Sequence, residues 1–458
     1  MLALEQGMAW NYVSLNDSES RARRQFILDQ TARWWSAFAT KRPALEASLL
    51  AAARALNGGA FDGMAERVLA VPADLTGWMG EQIGSIDPRL HWEFGQEASG
   101  QLFLAISAGD CLRLAPMVRS VVAAAPHVAG WVFLGQRPPI QAHWAMQAAR
   151  QRTGLSAIAP SVLSRLGSNN RIDMTFKMKL ARDDEASAIV LSAGLAEAIL
   201  GEHLFTRWVG DIDVEPLDRG PAAESYLGLS QLRTTVTGLV QTLTNSLPEQ
   251  PLYKQESPRK WPTFRYTPAP SNDYPRQDDL AIGRSIVPAV RAAAFGEGPG
   301  RGPGSPFYST SFSRSGETFC YLKIDMPGVS VEQRRKRKYE IEEPVDHELR
   351  RGGAGCVIGS STGLRYIYLD LAVMDVKQAL AVLAPVLRPM RLPERTWLLF
   401  YDTEMADEYV GLLSGSGAPP PVPAGAADFS RRPAIRPAPA PQVEAPSLTD
   451  LLPNELLF

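Results

Sequence analysis

Residues 101–134 constrain the fold more than any other stretch of the chain. Leu102-Phe103-Leu104-Ala105-Ile106 is an apolar run of strand length, and residues 107–110 are turn formers. Residues 112–124 then have helical spacing, and Trp131-Val132-Phe133-Leu134 is a second apolar run. Two such strands in one sheet, joined by a helix, predict a parallel pair with a right-handed crossover. A similar plan returns at 366–400: Tyr366-Ile367-Tyr368-Leu369, then Asp375 leading into a helix over 376–387, then Trp397-Leu398-Leu399-Phe400. The expected class is α/β or α+β, with small mixed sheets packed against helices, repeated strand-helix-strand units and a helical N-terminal part. The two copies are expected in separate domains.

A chain of 458 residues is too long for one ordinary core. Six segments are expected. Residues 1–140 hold a helical segment and the first strand-helix-strand module, and 141–246 form a second α/β module packed on it. Residues 247–306 are a Pro/Gly-rich linker, interrupted by a short helix expected at 278–295, and 307–413 are a C-terminal α/β domain. A Pro/Ala-rich linker over 414–446 leads to a short apolar docking helix at 447–458. Within the first segment, Ser18 or Ser20 caps a helix, Pro43 opens the next, and 61–69 and 75–83 form two shorter helices. Trp34, Trp35 and Phe38 read as core. In the second, alternation over 171–180 marks a strand with one wet face. Helices are expected at 141–152, 187–200 and 226–243, and a strand at 209–215. In the third domain a strand or hairpin covers 308–325, a charged helix 330–339, a hairpin 355–371 and a last helix 404–413.

Charge is balanced, with 47 Lys plus Arg against 49 Asp plus Glu, which argues against a chain built to coat nucleic acid or an anionic membrane. Cys111, Cys320 and Cys356 are few and far apart, as in a reducing compartment. Residues 1–17 lack a basic stretch followed by an apolar one, so no secretory signal is expected, and no apolar run approaches the roughly 18 residues of a membrane span. The expected location is the cytoplasm, with no membrane association.

The Trp34-Trp35 helix, the strand leading into Asp110, the helix ending at Ala123-Ala124-Ala125-Pro126 and the strand running from Gly130 to Pro138 together resemble a module of uncharacterised bacterial proteins. The likeness covers about the first 140 residues. It implies a bacterial source and carries no activity.

Candidate chemistry is sparse. Cys356 lies in a Gly-rich stretch with Ser360 and Ser361 nearby, and a nucleophile among glycines suggests a hydrolase with His347 as base. A strand entry with a buried thiol explains the same residues, and neither a GxSxG elbow nor a Cys-His signature accompanies them. His91, His127, His143, His203 and His347 have no metal-ligand spacing. Asp211, Asp213 and Glu215 fall on one face of a strand, which is equally an ordinary wet face. No catalytic residue, metal ligand or cofactor contact is assigned.

Arg334, Arg335, Lys336, Arg337 and Lys338 form the densest basic run, and residues 254–266 mix Lys and Arg with Trp261, Phe264 and Tyr266. That mixture suits anions or single-stranded nucleic acid, although the acids at 340–346 neutralise the run. At the C-terminus Ser447 and Asp450 make a capping box, and Leu448, Leu451, Leu452, Leu456, Leu457 and Phe458 put an apolar stripe on a short helix. Such a segment on a tether resembles a helix-in-groove docking peptide. The expected function is that of a non-enzymatic interaction protein, an adaptor, scaffold or regulator that engages a protein partner. A hydrolase using Cys356 or Ser360/Ser361, or a nucleic-acid-associated factor, are the alternatives.

Overall fold

The computed structural model describes residues 10–12, 17–57, 67–69, 71–153, 159–179, 185–217, 226–256, 260–295 and 306–421. The chain is of mixed α/β class, and the described residues form three sheets and an N-terminal helix.

That helix, α1 (Ser18–Asn57), is one 40-residue element rather than two. Pro43 leaves the Ala39 carbonyl without its donor. The helix runs on because Trp34, Phe38, Leu45 and Leu49 hold one face of it against the first sheet. Its cap is Asp17, whose Oδ1 accepts from the Ser20 N–H at 3.0 Å, not Ser18 or Ser20 themselves. The first sheet is ordered β1 (Arg67–Val68), β2 (His91–Gln96), β3 (Leu102–Ser107) and β4 (Trp131–Leu134), with α2 (Ala73–Ile86) between β1 and β2. Part of the stretch expected as a helix at 61–69 therefore pairs as a strand. β3 and β4 are parallel neighbours joined through α3 (Ala115–Ala123), with Pro116 in its first turn.

The second module follows the same plan. After α4 (Ala142–Thr153), β5 (Ser161–Leu166) and β6 (Ile172–Met178) form a hairpin. The chain then crosses through α5 (Glu185–Leu200) and α6 (Glu202–Trp208) to β7 (Val209–Pro216), parallel to β6. β5 gave no clear sequence signal because only Val162 of it is buried. Gly201 separates α5 from α6 at φ +77, where a Cβ would lie 2.8 Å from the Pro139 nitrogen. β8 (Leu227–Gly228) closes the other edge, so α7 (Leu232–Ser246) begins later than the helix expected at 226–243.

The third sheet has seven antiparallel strands. Residues 247–306, expected as a linker interrupted by a short helix at 278–295, contribute β9 (Thr263–Arg265), β10 (Leu280–Ser285) and α8 (Pro288–Phe295), so that the first half of the expected helix pairs as a strand and its second half is helical. Prolines stop this stretch from forming long elements, yet β10 finds a full partner in the strand Gly355–Gly363. Then come β11 (Thr318–Asp325), α9 (Val331–Arg351), β12 (Gly355–Gly363), β13 (Tyr366–Val373), α10 (Val376–Leu387), β14 (Thr396–Phe400) and β15 (Tyr409–Gly411). The β-α-β-β-α-β sequence from β11 to β14 has spatial order β14-β11-β13-β12, the split β-α-β arrangement. β13 and β14 thus flank β11 instead of pairing. The unit at 366–400 therefore lies in a different sheet from the one at 101–134 and differs from it in topology. The closer counterpart of the first module is the second.

α9 runs well beyond 339. Ser330 and Gln333 form a capping box at its start, and Ile341, Val345 and Leu349 bury its far half despite Pro344. The helix expected at 404–413 is instead a short 3-10 turn followed by β15. No helix among the described residues is long and apolar enough to cross a membrane.

The first core centres on Phe38, fully buried and edge-on to Trp131 at 5.3 Å and Phe133 at 5.5 Å. Phe38→Ala is expected to cost about 3–5 kcal/mol, read as a lower midpoint in urea unfolding. An unchanged midpoint would contradict this packing.

Candidate functional site

The seven-stranded sheet has two unlike faces. Cys320, Leu322 and Ile324 of β11 and Ile367, Leu369 and Leu371 of β13 pack under α9 and α10. The alternate residues, Tyr321, Lys323 and Asp325 with Tyr366, Tyr368 and Asp370, point the other way. Polar residues in that pattern ordinarily mean a wet face. Here the chain from Tyr266 to α8 lies across it.

Covering charged groups is costly unless each finds a partner. Asp370 accepts from Arg291 at 2.9 Å, Gln277 at 3.1 Å and the Tyr401 hydroxyl at 2.7 Å. Asp279 accepts from the Arg365 and Tyr366 N–H groups at 2.8 and 2.9 Å and from the Tyr368 hydroxyl. Asp325 takes both arms of Arg365 at 2.7 Å, with Arg395 at 2.9 Å. Lys323 is fully buried; its amine donates to the Tyr274 carbonyl and sits 4.1 Å from the Tyr366 ring centre. Burial pulls its pKa down to about 8, against the pull of Asp279 and Asp273.

A second polar constellation lies where the three sheets meet. Residues 402–408 present four carboxylates. Asp402 accepts from the Ser309 N–H at 2.7 Å and from the Ser309 hydroxyl, and burial pushes its pKa up to about 6. Glu404 pairs with Arg119 of α3 at 2.5 Å, and Asp407 with Arg113 at 3.2 Å. Glu408 accepts from the N–H groups of Trp10, Asn11 and Tyr12 at 2.8–3.0 Å. The second sheet is tied in through Asn170, which donates to the Ser311 carbonyl at 2.8 Å, and Arg207, stacked on Tyr308 at 5.0 Å.

Two clefts open beside these networks. One, of 380 Å³, is lined by Asp17, Glu19, Arg276, Tyr321, Phe400 and Tyr409 and walled by residues 418–421. The other, of 690 Å³, lies along α9. In it Arg284 is sandwiched between Trp261 at 4.7 Å and Tyr339 at 4.9 Å and bonds Glu342 at 2.5 Å.

Cys356 is fully buried in the tyrosine-face core, and burial pushes its thiol up to about 12, far from the thiolate a nucleophile needs. Ser361 is fully buried too, and Ser360 bonds the Arg284 guanidinium at 3.2 Å. The His347 side chain is 70% exposed on α9, with its ring 3.7 Å from Glu348. These residues are not brought into one open site.

The basic run divides by helical period. Arg334 and Lys338 turn inward, with Arg334 donating to the Val329 carbonyl and Lys338 lying 4.6 Å over Tyr339. Arg337 bonds Glu340 and the Met390 carbonyl, which leaves Arg335 and Lys336 fully outward. Asp211 and Asp213 lie on the exposed edge of β7, and Glu215 accepts from Tyr226 at 3.0 Å. No His/Cys/Asp/Glu group that could hold a metal occurs among the described residues. Leu448, Leu451, Leu452, Leu456, Leu457 and Phe458 lie outside the described residues.

Sequence reasoning missed both networks. The available signal was Tyr321-x-Lys323-x-Asp325 beside Tyr366-x-Tyr368-x-Asp370, charges spaced by two within otherwise apolar strands. No family model, curated protein or solved structure matches the chain.

The buried lysine gives a pH signature. Its folded pKa of about 8 lies below the ordinary 10.5, so between those values the unfolded chain binds more protons and folding strengthens as pH rises. Relative to Lys323→Met, the wild type is expected to gain about 3 kcal/mol between pH 7 and pH 10.5. Paired denaturant titrations across that range measure it, and a parallel pH dependence in both proteins would refute the assignment.

Proposed function

We propose that this chain is a non-enzymatic interaction protein of the bacterial cytoplasm, an adaptor, scaffold or regulator that engages a protein partner. One observation carries the reading: the groups a catalytic mechanism would use are committed to internal structure. Cys356 is sealed in a core as a neutral thiol, and Lys323 and Asp370 are partnered beneath the chain's own 266–295 segment. Further support comes from the sequence of the tail, where six large apolar residues follow a Pro/Ala-rich tract. A stripe of that size gains by leaving water, and a groove on a partner is one place to do so.

The test uses tagged full-length protein and a form lacking 447–458, each cross-linked in cells of the source organism. Partners recovered with the full chain are expected to fall about tenfold on deletion, and equally in Leu451→Asp/Leu452→Asp. An unchanged set of partners would exclude the tail as the interaction element.

A further inference from the structure

We propose that the N-terminal half of α9 and the end of α10 form one basic surface that binds an acidic segment of a protein partner. The inference rests on the reading of this chain as an interaction protein and names the chemistry of what it engages. α9 and α10 lie side by side. The Arg337 guanidinium reaches across to the Met390 carbonyl, which places Arg388 and Arg391 beside the basic run. Arg335, Lys336, Arg388 and Arg391 are exposed, and among the described residues none of them pairs with a carboxylate. The two groups are far apart in sequence, and only the packing of the helices makes them one surface.

Positive charge is in excess here. Glu340 is engaged by Arg337 at 2.9 Å, and the Glu394 carboxylate lies against Gly415, which leaves Glu332 as the nearby acid on α9. Beneath the surface, Arg334 and Lys338 are buried, and among the described residues neither makes an ion pair. Arg334 donates to the Val329 carbonyl while its Nε has no partner, and the Lys338 amine lies 4.6 Å over the Tyr339 ring. Burial pulls the Lys338 pKa down to about 8, against the pull of Glu342. A buried cation without a carboxylate costs free energy, so an anion at the surface above stabilises both. Arg388 also answers the dipole at the end of α10, whereas Arg391, past the helix, has no such part.

The neighbouring rings select the kind of anion. Single-stranded nucleic acid needs bare aromatic faces on which its bases stack. Trp261 and Tyr339 instead hold Arg284 between them at 4.7 and 4.9 Å, and Lys338 lies over Tyr339 as well. An anionic membrane draws on a broad basic face, and this chain has a net charge of -2. Carboxylates need neither: a guanidinium takes them through two parallel hydrogen bonds, and arginine clusters recognise acidic motifs in this way.

The test follows the fluorescence anisotropy of a fluorescein-labelled oligoglutamate peptide titrated with the full chain. R335E/K336E and R388E/R391E alter exposed side chains alone, and each pair is expected to weaken binding about tenfold. R33E/R54E, at exposed positions of α1, makes the same change in net charge and is expected to leave binding as it was. No binding by the wild type, or a loss confined to one of the first two pairs, would overturn the single surface. An oligothymidylate of equal charge, or vesicles containing phosphatidylserine, bound as tightly as the peptide would assign the patch to nucleic acid or membrane and overturn a protein partner. Cross-linking in cells with all four reversals separates this surface from the broader reading. Partners that depend on 447–458 are expected to fall in that variant too; if they persist, this surface alone is overturned. Patch-dependent peptide binding without any tail-dependent partner would support this surface and count against the tail.

Discussion

Four carboxylates in seven residues tie the seven-stranded sheet to the first module and to the N-terminal segment. Asp402, Glu404, Asp407 and Glu408 reach three parts of the chain: Ser309, the crossover that carries Arg113 and Arg119, and the backbone of residues 10–12. A buried carboxylate without partners costs several kcal/mol, so each must be met by a donor fixed on another element. The loop therefore tolerates few arrangements of the modules around it. Burial raises the pKa of Asp402, Asp407 and Glu408 even with those partners in place. The junction thus specifies geometry more than it adds stability, since a buried ion pair roughly repays its own desolvation.

The polar face of the seven-stranded sheet follows the same logic on a larger scale. A strand face carrying Lys323, Asp325 and Asp370 can be covered only by a segment that brings matched donors and acceptors. The 266–295 stretch does so with the Tyr274 carbonyl, Gln277 and Arg291. Its proline content suits the task, because a chain that cannot form long regular elements can follow the outline of a sheet while keeping its carbonyls available. What composition suggests is a spacer is in fact the lid of a core.

Three modules share a hairpin followed by a helical crossover. In the first two the returning strand pairs directly with its parallel neighbour, β4 with β3 and β7 with β6. In the third, β11 is inserted between β13 and β14, and every pairing becomes antiparallel. One added strand turns a local crossover into a split one without changing the apolar pattern of the strands themselves.

That difference marks what the sequence determined. Apolar runs, caps and period placed β3, β4, β6, β7, β13 and β14 and the helices α3, α5 and α10 close to their observed bounds, because those signals depend on neighbours within a few residues. The mixed α/β class follows from them. Which strands pair was not legible: 366–400 reads like 101–134 although β11 lies between its two strands. Neither were the roles of residues 402–408 and of Lys323, since an acidic stretch or an alternating lysine looks the same on a solvated surface as in a paired interior. Only tertiary structure brought Ser309, Arg119 and Tyr274 to them, and whether a charge can be buried depends on partners far away along the chain.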